Sequence, residues 1–106
     1  MSDVQVIAPE GPIDVSRALE LRDLLGPAVA EPGARVLVDL SSVTLVDSSG
    51  IGMFVTAHRQ AEANGGMFAL AGAPGPVGRV FELTRTNKLL RIYDTVEEGL
   101  AALRER

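Results

Sequence analysis

The 106-residue chain has no cysteine and no tryptophan, and only 4% of it is aromatic. Without cysteine there is no disulfide, no thiol nucleophile and no cysteine-built metal site. With so few aromatics, the core must be assembled from Leu, Val, Ile and Ala, which help make the chain 46% hydrophobic. Positive charge is also thin. Lys88 is the single lysine, the arginines form no run, and the net charge is -4. That balance argues against a nucleic-acid footprint, which needs clustered Lys and Arg. No apolar run approaches the ~18 residues of a membrane span. Nothing near the N-terminus reads as a signal peptide, since Asp3 and Glu10 interrupt it. The expected compartment is the cytoplasm, and the length suits one domain over residues 1–106.

What is present alternates. Residues 3–8 read as a short strand, and Pro9-Glu10-Gly11-Pro12 as a breaker cluster. Asp14 is placed to cap a helix from Val15. Val15, Ala18, Leu19, Leu21, Arg22, Leu24 and Leu25 give that helix an amphipathic pattern with a wide apolar face; Gly26-Pro27 interrupts it, and Ala28-Val29-Ala30 can carry one more turn. Val36–Leu40 is apolar on both alternating faces, as in a parallel strand covered on each side. Ser41–Thr44 reads as a loop, and a helix then runs from Ser49 to a stop at Asn64-Gly65-Gly66. Met67–Ala71 is a second buried strand. Pro76 opens a short helix, Arg85–Lys88 is a polar break, and Leu89–Tyr93 is a last strand. Asp94 or Thr95 caps a final helix, each with a Glu three residues on. Four strand–helix pairs with short connections predict an α/β fold, a mostly parallel sheet with about four helices packed on it.

Chemistry concentrates at Asp47-Ser48-Ser49-Gly50-Ile51-Gly52, where a strand gives way to a helix. Two readings stay open there. A hydroxyl at a helix start caps free backbone N–H groups. The same N–H groups and the helix dipole also favour a phosphate. An enzyme reading lacks a base: the only histidine, His58, lies ten residues from Ser48 on the same helix, roughly 15 Å away at 1.5 Å per residue. Gly50-Ile51-Gly52 does not make a nucleophile elbow, and no Walker-type phosphate loop occurs. Metal binding has no ligand spacing to support it. A small-ligand or nucleotide site beyond the strand ends would need converging polar groups. No catalytic residue, cofactor or metal is expected.

The run Val36-Leu37-Val38-Asp39-Leu40 followed by Asp47-Ser48-Ser49-Gly50-Ile51-Gly52 resembles the core of the STAS domain of anti-sigma factor antagonists. Gly11-Pro12-Ile13-Asp14 is similar to that family's Gly-x-Leu-Asp, and Ile92–Leu100 matches its closing segment, so the resemblance spans nearly the whole chain. It implies a STAS fold with a four- to five-stranded sheet. It implies that the unphosphorylated protein binds an anti-sigma factor, an ATP-binding serine kinase, and so frees a sigma factor. It implies Ser48 as phosphoacceptor, with a phosphoserine phosphatase to reverse the modification, and no nucleic acid or membrane partner. Asp14, Asp47, Ser49, Gly50 and Gly52 would shape the partner surface, Gly50 by allowing close approach. The molecule would be a monomer or weak homodimer. A non-switching STAS scaffold in a stress-signalling or transport complex is the alternative. Two departures from the family pattern are expected to matter: one N-terminal strand where two are usual, and Arg85–Lys88 in place of a Gly-containing turn.

Overall fold

The computed structural model describes residues 3–105. Its elements are β1 (Val4–Ile7), β2 (Gly11–Ile13), α1 (Ala18–Ala30), β3 (Arg35–Asp39), β4 (Val43–Val46), α2 (Ser48–Ala63), β5 (Met67–Ala71), α3 (Gly75–Leu83), β6 (Arg91–Tyr93) and α4 (Val96–Glu105). Short 3-10 turns precede α1 at Val15–Arg17 and β6 at Thr86–Lys88. The main sheet has the order β1-β3-β5-β6, with every pair parallel. β2 and β4 form a separate parallel pair.

The residues of β3 and β5 explain why helices cover both faces. Val36, Val38, Phe68 and Leu70 point into the larger core cluster, with Leu25 and Val29 of α1, Phe54 of α2 and Phe81 of α3. Leu37, Ala69 and Ala71, on the alternate positions, meet Leu103 of α4 on the other side. Period-two alternation sends neighbouring residues to opposite faces, so a strand apolar throughout needs cover on each. Few aromatics suffice: Phe54 lies 6.2 Å from both Phe68 and Phe81 between ring centroids.

Three expectations are corrected. β2 starts inside the breaker cluster and β4 inside the loop at Ser41–Thr44, so the N-terminal segment holds two strands, not one. Each is stabilised by the other, 32 residues away in register at Gly11 and Val43; neither carries a periodic signal of its own. Arg17 also ties this segment down, its guanidinium donating to the carbonyls of Glu10 and Pro12. Gly26-Pro27 does not interrupt α1, which runs unbroken through Pro27, and the further turn at Ala28-Val29-Ala30 is present. Proline disfavours helix partly by crowding the preceding residue's Cβ, and Gly26 has none. Leu25, Ala28 and Val29 are buried around it and hold the helix to the sheet. Third, Val15, Leu19 and Leu24 do not join the buried face: they are 75%, 61% and 47% exposed.

Candidate functional site

The site begins with the register of the small parallel pair. Ile13 and Val46 are Cα partners and both are buried. The next residue of each strand, Asp14 and Asp47, therefore leaves the pair beside the other. Both have extended backbones, and each caps the helical segment that follows. The Asp14 carboxylate accepts from the Ser16 N–H at 3.0 Å and the Ser16 hydroxyl at 2.5 Å. The hydrogen bond from Ser16 stabilises the ionised form and holds the Asp14 carboxyl below its ordinary pKa.

Asp47 does more. Its Oδ1 accepts from the N–H groups of Ser49 and Gly50, at 2.9 and 3.1 Å. Its Oδ2 accepts from the N–H of Val15 at 3.2 Å. Its own N–H donates to the Ile13 carbonyl at 3.1 Å. One side chain thus caps α2 and ties the entry to α1 onto the same point.

The choice between cap and free hydroxyl at Ser48 follows from this. The cap of α2 is Asp47, one residue earlier. Ser48 is the first helical residue, is exposed, and its hydroxyl has no hydrogen-bond partner among the described residues. Ser49 is half-buried and gives its N–H to the cap. Gly52 lies one turn from Ser48, exposed, with open space where a Cβ would project.

Gly50 is a correction. It is buried, so it offers no partner a close approach. A Cβ there would stand 2.7 Å from Ile13 Cγ2 and 3.0 Å from Val46 Cγ1. Its missing side chain lets α2 pack onto the ends of β2 and β4, an internal role. Asp14, Asp47, Ser48 and Ser49 are thus gathered at the strand exits, with Gly52 on the exposed face just below. Val15, read from the sequence as core, stands exposed beside them, and Leu19, read the same way, is exposed further along α1. The signal for this was the width of the apolar stripe on α1, which spans more of the helix than one sheet face can cover.

No group of His, Asp or Glu among the described residues is arranged to hold a metal ion. No described helix is long and apolar enough to cross a membrane.

The STAS domain family model matches residues 2–99. An anti-sigma-B factor antagonist of Staphylococcus aureus is 29% identical over 87 residues, covering 82% of this chain and 81% of that protein. The crystal structure of an anti-sigma factor antagonist from Mycobacterium paratuberculosis superimposes with a TM-score of 0.84 at 28% identity, over 98% of this chain and 88% of the other. The unphosphorylated form of the anti-sigma factor antagonist SpoIIAA shares the fold, with a TM-score of 0.78 at 23% identity over 100% and 92% of the two chains. With two capped helical segments, a 3-10 turn and α2, starting at the exits of a parallel strand pair, and a family match across nearly its whole length, the chain belongs to the STAS domain family.

Proposed function

We propose that this single STAS domain is a cytoplasmic anti-sigma factor antagonist governed by a phosphoserine switch at Ser48. In its unphosphorylated form it binds an anti-sigma factor that is also an ATP-dependent serine kinase, and the sigma factor is released. The kinase transfers the terminal phosphoryl group of ATP to the Ser48 hydroxyl, with loss of the hydroxyl proton, and binding ends. A phosphatase hydrolyses the phosphoester and restores the hydroxyl.

One observation carries this reading: the Ser48 hydroxyl is exposed and unengaged because Asp47 has taken the capping role. A kinase can reach it without breaking a hydrogen bond of the fold. The family relatives described above as anti-sigma factor antagonists support the choice of partner. A phosphate adds about -1.5 to -2 charge. Placed beside the Asp14 and Asp47 carboxylates, it turns this end of the molecule strongly negative, and the partner must then desolvate or oppose that charge.

Intact-mass measurement after incubation with the host's candidate anti-sigma kinases and ATP tests the proposal. The expected result is a single added phosphate that is absent from Ser48→Ala. A kinase that binds persistently yet never phosphorylates the chain would favour the non-switching scaffold instead.

A further inference from the structure

A groove of about 300 Å³ runs between α1 and α2. Leu25 and Ala57 form its floor, and Arg22, Met53 and Gln60 line its walls. Its α1 wall continues toward the Ser48 end. Leu19, Arg22 and Gly26 follow at spacings of three and four, which places them on one stripe of the helix. Val15 is held at the start of α2 by its N–H bond to Asp47. On α2, Gly52, Thr56 and Gln60 recur every fourth residue below Ser48. The two stripes bound one continuous surface, apolar at Val15 and Leu19, open over the backbone at Gly52, and grooved beyond.

Three properties mark this surface as one that a macromolecule covers. Val15 and Leu19 are the first and third most exposed large apolar residues described, at 75% and 61%. Met53 supplies an adaptable apolar wall of the kind found at protein-binding surfaces. Arg22 is exposed on the groove wall and has no ion-pair partner among the described residues. In a chain of net charge -4, that cation beside an apolar groove calls for an acidic group opposite.

We infer that this α1–α2 surface is the docking site for a protein segment that carries an apolar anchor flanked by a carboxylate. The apolar side chain enters the groove over Leu25 and Ala57, and the carboxylate pairs with Arg22. The inference rests on the proposed function: the segment belongs to the anti-sigma factor, and Ser48 sits at one end of the surface it covers. Val15 and Leu19 are the contacts that the sequence assigned to the core.

The test measures binding of the anti-sigma kinase that phosphorylates wild-type protein, using calorimetry with wild type, Leu19→Asp and Arg22→Glu. Both positions are exposed, so both variants should melt near the wild-type temperature. Each should weaken binding about tenfold or more. Wild-type affinity in both variants would overturn the docking site and leave the phosphoserine switch standing. If no candidate anti-sigma kinase of the host binds or phosphorylates wild type, the proposed function and this assignment fall together. Sedimentation of the isolated chain supplies a further outcome: a wild-type dimer that Leu19→Asp converts to a monomer would make this face a self-association surface and overturn the inference.

Discussion

Asp47 accepts three backbone N–H groups drawn from two different helical segments. Replacing it by alanine should cost about 1–2 kcal/mol, toward the upper end for an N-cap, because the Val15 donor is lost with the two in α2. Asparagine can keep the Oδ1 bonds to Ser49 and Gly50, since Asn caps nearly as well as Asp. It cannot accept from Val15 through an amide nitrogen, so Asp47→Asn should fall between wild type and alanine. Urea unfolding of the three proteins checks the order; equal stability of alanine and wild type would remove Asp47 from this role. At this scale the sequence was legible in part. Asp and Ser at a helix start announce a cap, but which of Asp47, Ser48 and Ser49 caps depends on where the strand before it ends. Val46 pairs with Ile13, and that long-range register places Asp47 at the N-cap. Arg85 was not legible at all. It is the one described non-glycine residue with positive φ, at 61°; nothing in a polar run of Arg-Thr-Asn-Lys marks the residue that turns.

α2 carries two glycines two residues apart with opposite physical meanings. Gly50 faces inward, where a Cβ would meet Ile13 and Val46 within 3.0 Å, and Gly52 faces outward into open space. Gly50→Ala should destabilise by about 1–3 kcal/mol through overpacking. Gly52→Ala should stabilise by about 0.5–1 kcal/mol, because alanine is the better helix former and meets nothing. Thermal or urea unfolding of the pair separates them; a stabilised Gly50→Ala would contradict the close packing of α2 on β2 and β4. If the docking surface includes Gly52, the same alanine should weaken the partner while it strengthens the fold. Elements with strong local patterns were readable: β3 and β5 as two-sided apolar runs, α2 from cap to Asn64-Gly65, and α4 from its capping Thr95, whose hydroxyl accepts from Glu98 N–H at 3.1 Å. β2 and β4 were not. A three-residue strand containing Pro12, and a four-residue strand buried only at Val43 and Val46, exist because each pairs with the other. That partnership has no trace in a window of neighbouring residues.

For the molecule as a whole, charge added at Ser48 should alter recognition and leave the fold in place. The residue is exposed at the positive end of a helix whose cap is supplied elsewhere. Ser48→Asp should therefore keep the wild-type circular dichroism spectrum while reducing kinase binding. A large loss of helix in that variant would mean that the hydroxyl supports the fold. The α/β class and two-sided cover of the sheet were evident from the alternation of patterns, whereas the outward face of α1 was not, since apolar spacing says that a stripe exists and not what will cover it.

Every strand pairing in the structure is parallel: β1 with β3, β3 with β5, β5 with β6, and β2 with β4. Among the described residues there is therefore no hairpin from which to start. Val4 must find Arg35, Gly11 must find Val43, and Arg35 must find Met67, each across more than thirty residues. Loop closure has to be met before any ladder repays it, which places such a chain among slow folders for its size. β2 and β4 join only when both have emerged and α1 and β3 lie between them. Until that closure is made, the strand exits that carry Asp14 and Asp47 are not side by side, so the surroundings of Ser48 form only as β2 and β4 pair.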